Sequence, residues 1–232
     1  ILSKLQTLIE QVDREMQDYN LNNVVPPLVE FIEYLTNWYI RLSRRRFWKS
    51  ENDGDKFAAY STLYTVLVDF SKILAPILPF ITDYIYSRLT NSNGKFSSIH
   101  LCDFPVPNKA LQNRGLEEKM DLVRKAVELG RSLRSVHQLK TRQPLKSVSV
   151  VVKDERHQKY FEELSDLIRS ELNVKTVVVS NNEESLVNRS AKPNLKLLGK
   201  VLGKQMKEAT EIIKNFGNKE VSLLESGKTI EV

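Results

Sequence analysis

Apolar residues recur at helical spacing from the start of the chain. Leu2, Leu5, Leu8, Ile9 and Val12 fall on one face, and the asparagine-rich stretch at 20–23 supplies a break, so the pattern predicts a helix over residues 2–19. A second apolar face carries Leu28, Phe31, Ile32, Leu35, Trp38, Tyr39 and Leu42. It opens at Pro26 and Pro27, where proline is tolerated in a first turn, and predicts one helix reaching Phe47 or Trp48. The polar stretch at 50–55 closes that pair as a loop. Residues 57–74 and 77–89 read as two more helices, parted at Pro76 and Pro79 because proline lacks an amide proton and clashes with the preceding turn. Four such helices on short connections imply a bundle. A turn at 90–94 and an extended segment at 99–104 lead into Pro105 and Pro107, where the domain boundary is placed: 1–107 for the bundle, 108–232 for a second domain.

The second half changes character. A helix over 116–137 precedes the β-branched run at 148–152, which reads as a strand. Helical period returns over 160–172, a second strand follows at 176–179, and another helix spans 200–216. The end reads as two strands, 221–224 and 229–232, around a hairpin turn at Glu225, Ser226, Gly227 and Lys228. The expected fold is therefore mostly α: a helical bundle followed by a small mixed α/β domain.

Composition narrows the setting. The 232 residues are enough for cores that need neither disulfide nor metal, and the single cysteine, Cys102, excludes an intramolecular disulfide and fits a reducing compartment such as the cytoplasm. No apolar run approaches the roughly 20 residues that span a bilayer. The chain opens on Ile1 within a helical pattern and without an initiator methionine, so a segment of a longer protein is expected. Thirty-five Lys and Arg against 29 Asp and Glu give a net charge of +6, which favours polyanionic partners.

Clustering sharpens that inference. Arg41, Arg44, Arg45, Arg46 and Lys49 lie in one acid-free stretch among Trp38, Tyr39, Phe47 and Trp48. Arginine binds phosphate bidentately and stacks on bases, and aromatic rings add stacking surface, a combination suited to single-stranded RNA. Asn37 and Arg41, at i, i+4 spacing, can present an amide and a guanidinium together to a base edge. The competing reading gives Trp38 and Tyr39 to the core and the arginines to a solvated helix end. Two further acid-free stretches hold Arg131, Arg134, Lys140, Arg142 and Lys146, and then Lys192, Lys196, Lys200, Lys204 and Lys207, the latter at intervals that would line one side of a helix. Gly199 and Gly203 weaken the case for one continuous helix there.

Catalytic patterns are missing. His100, His137 and His157 do not pair at metal-ligand spacing, and no phosphate-binding glycine loop or nucleophile elbow is found.

The run NWYIRLSRRRFW, preceded by VVPPLVEFIEYLT and followed by APILPFITDYIYSRL and SSIHLCDFP, resembles the anticodon-binding domain of isoleucyl-tRNA synthetases. Downstream, LGRSLRSVHQLKTRQPLKSVSVVV, ELNVKTVVV and KPNLKLLGKVLGKQMK resemble the C-terminal junction region of the same enzymes, most closely the cytosolic, eukaryotic-type branch. The resemblance implies a parent ligase that uses ATP and Mg to charge isoleucine tRNA and edits mischarged products in a separate domain, since one methylene gives too little discrimination. The HIGH and KMSKS signatures have no match, so the chain itself is expected to be non-catalytic and cofactor-free. Its implied partners are isoleucine tRNA and the catalytic and editing domains of the same polypeptide, with no DNA or membrane. Asn37, Arg41, Arg44, Arg45, Arg46, Trp48 and Lys49 would face the anticodon stem-loop, with Arg131, Arg134, Lys140, Arg142, Lys196, Lys200 and Lys204 on the stem. The rivals are a bracing or docking module of a multi-synthetase assembly, and the equivalent segment of a valyl- or leucyl-tRNA synthetase.

Overall fold

The computed structural model describes residues 1–48, 53–90, 96–181, 190–202, 205–225, 227 and 230; the side chains at 197, 200–202, 219, 222 and 225 are outside the description. The chain divides into two compact units, Ile1–Arg124 and Lys125–Val232.

In the first unit, α1 (Leu2–Gln17) buries Leu5, Leu8, Ile9 and Val12, the stripe expected from its spacing. It ends where Tyr19 turns to φ 56° and the Asn20 amide reaches back to the Glu15 carbonyl at 2.8 Å. The second expected helix is built in pieces. α2 (Val25–Tyr34) starts on its two prolines, a π-helical segment (Leu35–Ile40) follows, and α3 (Arg44–Trp48) carries the arginines. α4 (Asp53–Leu74) and α5 (Pro79–Leu89) are parted at the expected prolines. The core joins α1, α2 and α4 through Leu5, Ile9, Leu28, Phe31, Val66 and Phe70, with the rings of Phe31 and Phe70 4.8 Å apart.

The stretch expected to be extended at 99–104 instead begins as a 3-10 turn (Ile99–Leu101). Asp83 causes this by accepting from Ser98 Oγ at 2.7 Å and from the Ile99 amide at 2.9 Å, a cap that curls the backbone. Beyond it, the chain stays on the bundle. Phe104 packs on the core, Gln6 accepts the Asn108 amide at 2.7 Å, and the largely buried Glu117 accepts from Ser3 and Thr7. The unit therefore runs past residue 107 into α6 (Arg114–Val136), where Lys4 pairs with Asp121 at 2.6 Å.

The second unit contains a β-α-α-β arrangement. β1 (Leu145–Val151) and β2 (Val174–Ser180) pair in parallel, Leu145 opposite Val174 and Val150 opposite Val179. α7 (Glu155–Glu163) and α8 (Ser165–Leu172) connect them, capped at the start by Asp154 and ended by Asn173 in the left-handed conformation. Parallel strands require such a crossover, which agrees with the expected α/β character. Phe161, Ile168, Leu172, Val127 and Val174 are buried. At Gly130 a Cβ would stand 2.6 Å and 2.8 Å from the two Leu172 methyls, so the absence of a side chain there allows the contact.

Three helices close the described chain: α9 (Leu195–Leu202), α10 (Met206–Lys214) and α11 (Asn218–Glu225). The expected terminal hairpin is corrected, because 221–224 lies inside α11. Glu220 accepts the Gly217 amide at 3.0 Å and so caps a helix start where alternation had suggested a strand. The hairpin's second strand falls mostly outside the described residues. The lysine series from 192 to 207 is split between the segment before α9, α9 and α10, rather than one helix.

Candidate nucleic-acid interface

On the first unit, Trp38 lies within the π-helical segment and in the interior, 4% exposed, while Asn37 stays at the surface. Trp38 and the half-buried Tyr39 line a cavity of about 220 Å³ with Lys4, Tyr34 and Glu117. These two aromatics therefore belong to packing. The strict α-helical spacing assumed for Asn37 and Arg41 does not apply across the π segment, although both side chains are exposed.

α3 presents the cations. Arg44 and Arg45 are exposed, and the Arg44 guanidinium lies 5.4 Å from the ring centre of Trp48, itself 69% exposed. A guanidinium stacked on an open indole forms a flat, positively charged surface of the size of a base. Phe47, by contrast, is buried and packs on Tyr60 at 5.2 Å. Lys49 lies outside the described residues.

Arg46 does a different job. Its Nη2 reaches Asp55 Oδ1 at 2.6 Å and its Nε lies 3.0 Å from both carboxylate oxygens, clamping α3 to the first turn of α4. Asp55 was missed from the sequence because it sits nine positions away across a polar loop. The hydrogen bond from Arg46 holds the Asp55 carboxyl below the usual carboxylate range. A depressed carboxylate stabilises the folded state fully above its unfolded pKa of about 3.9, and that contribution is lost as pH falls through the lower folded value. The protection of the α3 amides, taken relative to intrinsic exchange at each pH, should therefore fall on acidification below pH about 4. Asp55→Asn should already show faster exchange at neutral pH and lose this part of the acid response; an unchanged acid response would locate its origin elsewhere.

In the second unit the expected cations separate into three kinds. Arg131 is ion-paired with Glu171. Arg134, expected at the RNA surface, is 4% exposed. Its Nη1 donates to the carbonyls of Lys140 and Gln143, both at 3.0 Å, and its Nη2 to those of Leu172 at 2.6 Å and Asn173 at 3.2 Å. It is corrected to a structural residue: four carbonyls at the end of a helix and a tight loop need donors, and the planar guanidinium supplies them. Lys140 and Arg142 are exposed on that same loop. Lys196 is exposed on the first turn of α9, while the side chain of Lys200 and all of Lys204 fall outside the description.

Among the described residues no group of three His, Cys, Asp or Glu is placed to hold a metal ion, and no helix is long and apolar enough to cross a membrane. The family described as the anticodon-binding domain of tRNA ligase matches residues 1–150. The chain is 46% identical over its full 232 residues to an isoleucine–tRNA ligase of Treponema denticola and 42% identical, again over its full length, to that of Protochlamydia amoebophila. It is 47% identical over 210 residues, 90% of the chain, to that of Chlamydia trachomatis. These stretches make up 20 to 22% of the relatives, so the chain spans about a fifth of their length. The relatives are bacterial, which corrects the expected assignment to a cytosolic, eukaryotic-type branch. With a match over residues 1–150, carrying the helical bundle and its arginine-rich α3, the chain belongs to the anticodon-binding domain family of tRNA ligases.

Proposed function

We propose that the chain binds the anticodon arm of isoleucine tRNA and positions it for aminoacylation by a catalytic domain elsewhere in a cytoplasmic ligase. The observation that carries this reading is the exposed Arg44, Arg45 and Trp48 surface on α3, in a chain similar along its own length to a stretch of isoleucine–tRNA ligases. Arg44 and Arg45 hold phosphates, and Trp48 stacks on an unpaired base; phosphate contacts position, base contacts specify. Asn37 and Arg41 flank this surface, with Lys140, Arg142 and Lys196 as further phosphate contacts. Binding itself needs no cofactor; ATP and Mg serve the aminoacylation step.

The test is binding of isoleucine tRNA, valine tRNA and an isoleucine tRNA with a swapped anticodon, across a salt series, by the unaltered chain and by Arg44→Gln/Arg45→Gln. The unaltered chain should prefer the isoleucine anticodon. The double variant should lose affinity by about tenfold or more and shift the log–log salt slope by about 0.7 to 0.9 for each phosphate no longer neutralised. Equal binding of all three RNAs, unchanged in the variant, would assign the chain to bracing the ligase instead.

A further inference from the structure

We propose that the loop at 140–143 is a preformed site for a backbone phosphate, and that Asn173 is its positioning residue. The inference rests on the tRNA-binding reading above and adds a site and a residue to it.

All four carbonyls of the loop accept hydrogen bonds from two side chains. Arg134 donates to those of Lys140 and Gln143, and the side-chain amide of Asn173 donates to those of Thr141 at 3.1 Å and Arg142 at 3.0 Å. Asn173 can do this because it stands at φ 48° and ψ 55°, the left-handed conformation that ends α8 and that asparagine tolerates. Its own carbonyl accepts from the Leu145 amide at 3.1 Å, which fixes the corner to the start of β1. The Gln143 amide closes the turn on the Lys140 carbonyl at 3.0 Å, and Gln138, at φ 55°, ends α6 just upstream.

The Gln143 amide turns back on the Lys140 carbonyl, whereas among the described residues the amides of Thr141 and Arg142 donate to no protein acceptor. Two successive amides left open in a turn can take up an anion. Both residues are exposed, and so is Lys140, and among the described residues no carboxylate is paired with Lys140 or Arg142. Two amides, a threonine hydroxyl and two cations match the oxygens of a phosphodiester. Because Asn173 and Arg134 hold the loop before any ligand arrives, little ordering is required on binding.

The first test uses the unaltered chain: residue-resolved NMR of the Thr141 and Arg142 amides during titration with isoleucine tRNA. Both resonances should move and saturate along the RNA binding curve, and inorganic phosphate should move them only at far higher concentration. Unmoved amides, or an equal response to free phosphate, would overturn the site. The second test compares Lys140→Gln/Arg142→Gln, Asn173→Gly and their combination. Glycine keeps the left-handed corner while removing the amide. The cationic pair should lose about tenfold in affinity and up to about two units of salt slope. Asn173→Gly should show a smaller loss of the same kind, and the combination should bind no worse than the cationic pair alone. An additive loss in the combination would make Asn173 merely structural. Normal binding by the Lys140→Gln/Arg142→Gln variant, with loss in Arg44→Gln/Arg45→Gln, would remove this site and leave the anticodon reading standing; normal binding by both would remove that reading as well.

Discussion

Replacing Arg134 with methionine is expected to destabilise the second unit by about 2 to 6 kcal/mol, because the carbonyls of Gln143 and Leu172 lose their donor while those of Lys140 and Asn173 keep the amides of Gln143 and Leu145, and each orphaned group costs about 1 to 3 kcal/mol. The substitution keeps most of the aliphatic volume, so the loss reports hydrogen bonding more than packing. From α6 the guanidinium holds the loop at 140–143 and the corner at 172–173 at once. Arg134→Lys should recover only part of the loss, since an ammonium cannot match the fork. Hydrogen exchange of the β1 and β2 amides under urea gives the measurement. Protection within about 0.5 kcal/mol of the unaltered chain would mean that the carbonyls find other donors, and that Arg134 carries less of the fold than its geometry implies.

The two tryptophans should behave in opposite ways. Trp38→Ala removes an almost fully buried indole beside an existing cavity and is expected to cost about 3 to 5 kcal/mol of stability. Trp48→Ala removes a ring that is 69% exposed and should leave stability within about 0.5 kcal/mol. On RNA the order reverses for Trp48, where loss of base stacking is expected to weaken binding by about 1 to 3 kcal/mol at low temperature, with the fold intact. Parallel denaturant titrations and tRNA-binding curves decide the matter. If Trp48→Ala binds RNA normally, the indole is a support for Arg44 and not a base platform.

Much of the fold could be read from the sequence, because α1 buries the face that its spacing marks and the helices break at the asparagines and prolines that the chain supplies, although α5 buries Thr82 and Tyr86 and leaves Phe80, Ile81 and Tyr84 exposed. Several failures come from hydrogen bonds between residues well separated in sequence, whereas the terminal hairpin is undone by a local cap, Glu220 on Gly217. Nothing near Ile99 announces that Asp83 will curl it, and nothing in the run around Arg134 distinguishes it from its exposed neighbours. The π segment is hidden for a similar reason, since an apolar face continuing from Leu28 to Leu42 reads as one uninterrupted helix. The arginine cluster was visible as a cluster, but its division into exposed Arg44 and Arg45 and the clamped Arg46 depends on where Asp55 lands. Asn173 left a faint sign, an asparagine between a helical run and a β-branched one, which is where a left-handed cap belongs.

Gly130 and Leu172 are in close contact. A methyl group at residue 130 would have to displace the methyls of Leu172, which is 2% exposed. The Leu172 carbonyl is also the shortest bond of the Arg134 guanidinium, and the same guanidinium holds Lys140 and Gln143. Residue 130 thus lies one side chain away from the corner that Arg134 ties to the loop, so a substitution there meets the loop's support before it meets the loop.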